Sequence, residues 1–272
     1  MDSESSRWFD LVDMTPVATA GGKRLLATET PIAVSFLGIG YAVMMATPAD
    51  LEDFAIGFAL GERIIDRIDQ VRDVSLAKED RGLLLNIEVS ADREAAVLSR
   101  VRHRANESSC GLCGIENLDQ ALRPLPPVGK PPMIERIHLF KALARIREEQ
   151  KLNAATGAVH AAASFGPDGS FIAVREDVGR HNAFDKLIGH SLACGRSLED
   201  GFVVLTSRCS YELVEKSALA GVTLLLTISA PTSLAVVRAR EAGLTLICLA
   251  RPDSMLVMSD PHSCFSDMGV AR

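Results

Sequence analysis

At 272 residues and 47% hydrophobic content, the chain can fill the core of one large domain or two ordinary ones. Its formal net charge of −6 excludes a general attraction to nucleic acid or to an anionic membrane, so neither is expected as a partner. The start of the chain lacks a basic end and apolar run, which predicts a cytoplasmic protein rather than a secreted one. Six cysteines are too few for a disulfide scaffold.

The N-terminal part is predicted to hold a polar lead-in over residues 1–24 and a smaller α+β domain over 25–108. The uncharged run 31–49 is as long as a membrane span. Glycines at its centre and prolines at its ends favour instead a buried β-hairpin with arms 32–36 and 41–45.

A helix should follow this hairpin, with Thr47 as its cap and Pro48 in its first turn. Its apolar residues recur at helical spacing over 51–58, and we expect this face to pack on the hairpin. A strand over 83–89 and a polar helix over 92–104 complete this half of the chain.

Two cysteines, Cys110 and Cys113, lie three positions apart with glycine next to each, in a proline-rich connector over 109–132. Such a pair suits half of a zinc site, a dithiol redox couple or a nucleophilic thiol. No second paired motif supplies further zinc ligands, so no metal site is expected. The motif also precedes a connector, whereas thioredoxin-like motifs follow a strand. A thiol that accepts a sulfur and passes it on is the remaining interpretation.

Residues 133–272 are predicted to form an α/β domain. A long helix over 133–152 precedes two strands, 158–165 and 171–174, which the turn residues 166–169 should join as a hairpin. A helix over 182–193 follows. Strands then alternate with helices. The strands are 202–206, 222–229 and 244–250, and the helices are 211–220 and 233–242.

This alternation indicates βαβ units and a mainly parallel sheet with helices on both faces. Ligands bind such sheets beyond the carboxyl ends of the strands. The cations at or just after those ends are Arg208, Lys216 and Arg251, which would suit a large phosphorylated ligand.

The charged segment 174–186 lies between a strand and a helix. The helix N-terminus over 179–182 could hold a phosphate, with Arg180 and His181 as partners. The alternative is a capped loop whose own acidic and basic side chains pair with one another. These are Arg175, Glu176, Asp177 and Arg180.

Taken together, the motifs resemble the FdhD family, the sulfur carrier proteins needed for formate dehydrogenase activity. Five ordered motifs carry the resemblance. They are SCGLCG at 109–114, VHAAA at 159–163, REDVGRHNAFDKLIG at 175–189, SRCSYELVEK at 207–216 and SAPTSLAV at 229–236.

The resemblance implies a cytidine-deaminase-like three-layer domain behind a smaller N-terminal domain, in a homodimer. It implies that sulfur from an IscS-type cysteine desulfurase is delivered to the bis-molybdopterin guanine dinucleotide cofactor of formate dehydrogenase, with GDP-like nucleotides as analogues. Cys110 matches the cysteine that carries the persulfide, with Cys113 as its companion. The segment matching the family's nucleotide contact comprises Leu249, Ala250, Arg251, Pro252, Asp253 and Ser254.

Relatives often have a glycine and a basic residue where this chain has Asp253 and Ser254, and residues 258–262 replace the family's tyrosine–threonine ending. The primary hypothesis is a sulfurtransferase whose C-terminal domain holds the cofactor, with Arg180, His181 and Arg208 as further contacts. A non-catalytic molybdenum-cofactor chaperone is the alternative, and a dithiol reductase is a third option.

Overall fold

The computed structural model describes residues 4–14, 19–107 and 123–265 of a mixed α/β protein. The described strands form three sheets, of two, four and six strands. Across these described ranges, no helix has the length and apolar character needed to cross a membrane.

The smallest sheet is an antiparallel hairpin of β1 (Ser6–Met14) and β2 (Thr19–Ala27). The interpretation of residues 1–24 as a polar lead-in is corrected here, because most of this segment is β-strand. Most side chains described on the two strands are exposed. The alternation of apolar and polar residues that identifies a half-buried strand is therefore missing from the sequence.

The second sheet has the order β4-β3-β6-β5. Its strands are β3 (Thr30–Phe36), β4 (Ile39–Ala46), β5 (Val71–Glu79) and β6 (Gly82–Val89). The antiparallel β3–β4 pair confirms the predicted hairpin, and Ile32, Val34 and Phe36 point into the core. Strand β5 was not predicted, since most of its side chains are exposed.

Helix α1 (Leu51–Gly61) begins after Asp50, which adopts φ +52°. The prediction that Thr47 caps this helix was wrong. The Thr47 hydroxyl instead accepts a hydrogen bond from the backbone N–H of Val178. Nor does α1 bury a single face on the hairpin, because it also packs closely against α5 (Arg180–Ala193). A Cβ added at Gly57 would lie 1.9 Å from the Asp185 carbonyl oxygen, so glycine is required at this crossing.

Helix α2 (Glu94–Glu107) ends the N-terminal half. Two short 3-10 turns, Ile68–Gln70 and Ala91–Arg93, precede β5 and α2. After the connector come α3 (Arg136–Glu149) and α4 (Lys151–Thr156). The prediction of one helix over 133–152 was wrong, because the backbone breaks at Gln150, with ψ +72°.

The largest sheet has the order β12-β11-β10-β9-β7-β8. Its strands are β7 (His160–Phe165), β8 (Phe171–Asp177), β9 (Phe202–Leu205), β10 (Leu224–Thr227), β11 (Thr245–Cys248) and β12 (Leu256–Ser259). Only β9–β10 and β10–β11 are parallel, so the sheet is mixed and the expectation of a mainly parallel one was wrong.

Helices cover both faces of this sheet, as predicted. One face packs against α5, α6 (Tyr211–Leu219) and α7 (Ser233–Ala242), and this core continues into α1. The other face packs against α3. The βαβ path from β9 to β11 carries the three central strands to a common carboxyl edge.

Candidate functional site

The carboxyl edge of the largest sheet gathers residues from distant parts of the chain. Strands β9, β10 and β11 end there, and β7 begins there because it runs antiparallel to β9. His160 therefore lies next to the end of β9, and it pairs with Asp177 at the end of β8. Arg208 follows β9, and Arg251 follows β11 two strands away, a spacing of roughly 10 Å.

The N-terminus of α5 meets this edge. Asp177 fixes it, because its carboxylate accepts a 2.8 Å hydrogen bond from the N–H of Gly179 at the helix cap. Arg180 follows, and its buried Nε has no hydrogen-bond partner among the described residues. A free guanidinium N–H beside a positive helix end fits an anionic ligand.

Two cations of the edge act on the charge of His160. Burial lowers the pKa of this half-buried imidazole, and Arg180 and Arg208 lower it further, with Asp177 opposing them. The side chains from β7, α5 and the end of β9 therefore share one electrostatic environment. No role was predicted for His160, although the VHAAA motif contains it.

Unlike the Nε of Arg180, the ring of His181 already has side-chain partners. Its Nε2 lies 3.0 Å from a Glu212 carboxylate oxygen and 3.3 Å from the Ser210 hydroxyl. The hydrogen bond with His181 is the main cause that lowers the pKa of Glu212. A ring already bonded to a carboxylate is a weaker phosphate partner than Arg180.

The alternative interpretation of the charged loop, in which Glu176 and Asp177 pair with Arg175 and Arg180, was wrong. Asp177 pairs with Lys186 and Arg175 pairs with Asp53. Glu176 accepts hydrogen bonds from the backbone N–H groups of Leu152 and Asn153 in the first turn of α4. Arg180 therefore has no ion pair among the described residues, although it lies near enough to Glu212 to help lower the pKa of that carboxyl.

The predicted nucleotide segment forms a turn at the edge. The Arg251 N–H donates to the Ser254 carbonyl at 2.7 Å, and Leu249 adopts φ +53°. The guanidinium of Arg251 donates to the carbonyls of Ile228 and Ala250, which hold it at the end of β10. The exposed residues of the segment are Arg251, Pro252, Asp253 and Ser254, while Ala250 is buried.

Lys216 does not join the edge cations, which corrects its predicted place there. Its Nζ lies 2.5 Å from the carboxylate of Asp185, and both side chains are largely buried. Arg208 and Arg251 are exposed and free of carboxylate partners within the described ranges.

Cys110 and Cys113 lie outside the described residues. Two of the other thiols are poor nucleophiles, because burial raises the pKa of Cys248 to about 11 and that of Cys209 further still. The described residues contain no cluster of three or more metal-ligating side chains. The expectation of no metal site stays a prediction.

The fold and the edge define a mixed α/β protein with basic side chains collected at the carboxyl end of its central strands. The chain belongs to the FdhD/NarQ family, whose model matches residues 27–265.

Two relatives are each named Sulfur carrier protein FdhD. The one from Xanthomonas euvesicatoria is 44% identical over 247 residues, which cover 91% of this chain and 87% of the relative. The one from Cupriavidus necator is 41% identical over 237 residues, which cover 87% of this chain and 82% of the relative. A crystal structure of a candidate formate dehydrogenase accessory protein from Desulfotalea psychrophila shares the fold. It has a TM-score of 0.75 at 23% identity, with 94% of this chain and 97% of that chain covered.

Proposed function

We propose that this protein is a sulfurtransferase that carries sulfur from a cysteine desulfurase of the IscS type to the bis-molybdopterin guanine dinucleotide cofactor of formate dehydrogenase. The names of the relatives support the role of sulfur carrier. The observation that carries the proposal is the placement of Arg180, Arg208 and His160, from separate motifs, at one edge of the largest sheet. This arrangement suits the phosphates of a nucleotide cofactor.

The loading step is a thiol–persulfide exchange at Cys110. Its thiolate attacks the outer sulfur of the donor persulfide, the S–S bond of the donor breaks, and the donor cysteine leaves as a thiolate. Cys110 then holds the sulfur as a persulfide, and Cys113 assists the transfer or protects the product.

The cofactor is the substrate of this reaction, and the edge would hold it by its guanine nucleotide phosphates. Arg180 offers an unpartnered buried N–H, and Arg208 and Arg251 offer exposed guanidinium groups. The turn from Leu249 to Ser254 would contact the nucleotide, with His181 as a further neighbour. A cytidine-deaminase-like architecture, a homodimer and a cytoplasmic location complete the proposal.

Intact-protein mass spectrometry after incubation with a cysteine desulfurase and cysteine tests the loading step. The wild-type protein should gain the mass of sulfur and lose it on reduction, whereas Cys110→Ala should gain none. Cys194→Ala is the matched control, since Cys194 is an exposed thiol that does not belong to the motif. Retention of a labile sulfur by Cys110→Ala would remove Cys110 from the reaction.

A second candidate is a non-catalytic molybdenum-cofactor chaperone that docks formate dehydrogenase. One observation favours it: the cations at the edge are the guanidinium groups of Arg180, Arg208 and Arg251, which can bind phosphates without a thiol. Full formate dehydrogenase activity with the Cys110→Ala, Cys113→Ala double variant would support it. A Cys110–Cys113 disulfide that turns over with thioredoxin would support a dithiol reductase instead.

A further inference from the structure

Strand β5 forms one edge of the four-stranded sheet. It pairs with β6 on one side, and no described strand pairs with its other side. No hydrogen bond from a described residue outside β6 reaches residues 72–79. The strand is nine residues long and contains no proline, so two common protections of an edge against pairing with another chain, shortness and proline, are missing.

The inner face of β5 is left partly open at this edge. Val74 and Leu76 lie opposite Ile87 and Leu85 of β6, and these two partners are fully buried in the core that includes α1. Leu76 itself is 53% exposed, so the cover over the sheet ends before β5. The apolar inner face of the sheet therefore continues to an edge that a further strand could extend.

A groove runs along this face of β5, between the strand, the N-terminus of α1 and the base of the β1–β2 hairpin. It comprises two adjoining cavities of about 390 and 450 Å³. The residues that line both cavities are Glu4, Pro48, Leu51 and Leu76. Val74 lines one cavity and Lys78 the other, and both lie on the same face of β5 as Leu76. The groove therefore follows alternate residues along the strand, as one row of side chains of an added strand would.

The walls of this groove are acidic. The carboxylates that line it are Glu4, Asp50, Glu52, Asp53, Glu79 and Asp80, and the cations are Arg7 and Lys78. Arg175 pairs with Asp53 and lies 3.7 Å from Asp50. Glu4 and Glu52 form no ion pair with any described residue. Such an excess of negative charge attracts a basic partner and repels an acidic one.

We propose that this groove docks an extended segment of a partner protein, which adds to β5 as a further strand and carries basic side chains at alternate positions. Main-chain hydrogen bonds to the free side of β5 would supply part of the affinity. The alkyl stems of arginine or lysine would cover Val74 and Leu76, while their charged ends would reach Glu4 and Glu52. The inference does not depend on the proposed sulfur transfer.

Fluorescence anisotropy with a labelled ten-residue peptide of alternating arginine and threonine tests the proposal. The wild-type protein should bind this peptide at least about tenfold more tightly than the same peptide with glutamate in place of arginine. Two further peptides are N-methylated, one on its arginines and one on its threonines. Because the N–H groups of successive residues in a strand point to opposite sides, one of these two peptides should bind about tenfold more weakly and the other should keep its affinity.

Matched variants test where the peptide binds. Leu76→Lys removes apolar surface and adds a like charge, so it should weaken binding about tenfold. Leu84→Lys is its control, because Leu84 is 44% exposed on the opposite face of the same sheet, and it should leave the affinity unchanged. Glu52→Gln should weaken binding about threefold, whereas Glu94→Gln should not, although each glutamate lies in the first turn of its helix. Hydrogen exchange of the amides over 72–79 should slow when the peptide is bound.

Several results would overturn the proposal. They are an arginine peptide that does not bind, equal affinity for the arginine and glutamate peptides, full binding of both N-methylated peptides, and unchanged affinity in Leu76→Lys. A wild-type dimer that Leu76→Lys converts into a monomer, measured by sedimentation without peptide, would show that a second copy of this chain occupies the groove instead. Loss of sulfur loading with normal peptide binding would overturn only the proposed function.

Discussion

Helix α5 contributes one residue to each of two buried aspartate–lysine pairs, and the two carboxylates are hydrogen bonded to very different extents. Asp177 at the end of β8 pairs with Lys186, and neither side chain is exposed. Its two oxygens accept four hydrogen bonds, from Thr47 N–H, Lys186, Gly179 N–H and the Asn182 amide. Asp185 is bonded only to Lys216 among the described residues.

The difference shows which buried charge the fold depends on. Asp177 joins the segment before α1 to the N-terminus of α5, so a single carboxylate holds Arg180 and His181 in place at the edge. For Asp185, burial outweighs the attraction of Lys216 and raises the pKa of the carboxyl. A carboxylate with few hydrogen bonds gains little from being charged inside a protein.

The largest expected effect is that of Asp177→Asn. All four partners of Asp177 are donors, so an asparagine amide would direct an N–H toward at least one of them and leave Lys186 buried without a counter-charge. We expect a loss of about 3–5 kcal/mol in the free energy of unfolding, measured in urea. GDP affinity should fall too, because the N-terminus of α5 loses its anchor.

A double-mutant cycle sharpens this test. Asp177→Asn with Lys186→Met removes both charges, and it should recover part of the stability that the single change loses. A double variant less stable than the sum of the two single changes would show that the pair acts mainly through hydrogen bonds.

A smaller effect is expected at Thr47, which belongs to the Asp177 network. Thr47→Val keeps the shape of the side chain and leaves the Val178 N–H without its acceptor, at a cost of about 2 kcal/mol. Thr28→Val is the control, because the buried hydroxyl of Thr28 has no partner among the described residues. Equal stability changes in the two variants, measured by thermal unfolding, would contradict the assigned role of Thr47.

Thr47 also illustrates what local sequence cannot predict. The hairpin β3–β4 and the run from β9 to β11 follow from short-range periodicity, and parallel strand ends placed Arg208 and Arg251 at one edge. Thr47 instead bonds a backbone group 131 positions away, so its apparent capping position was misleading. The antiparallel pairing of β7 with β9 joins segments far apart in the chain, such as Ala162 and Leu205, and no local pattern records it.

The sequence contains a signal at Gln150, where α3 ends, that was missed. Leu139, Leu143 and Ile146 form the buried stripe of α3, and Gln150 occupies the next position of that spacing. A polar residue at a core position requires either a partner or a ligand. The backbone between α3 and α4 breaks at Gln150, which periodicity alone could not predict.

The smallest effect, and the one that depends on pH, is expected for Asp185→Asn. Because the pKa of Asp185 is raised in the folded state, the native protein holds this proton over a range in which the unfolded chain releases it. Wild-type stability should therefore fall as pH rises above the usual carboxyl value of 3.8, a change that asparagine cannot show. The variant should gain relative to wild type between roughly pH 4 and pH 7, with a difference within about 1 kcal/mol at neutral pH. Asp177→Asn should be less stable than wild type at both roughly pH 4 and roughly pH 7. Urea unfolding could instead show that Asp185→Asn becomes less stable relative to wild type as pH rises. The Asp185–Lys216 pair would then stabilise the fold as ions, and the contrast between the two pairs would disappear.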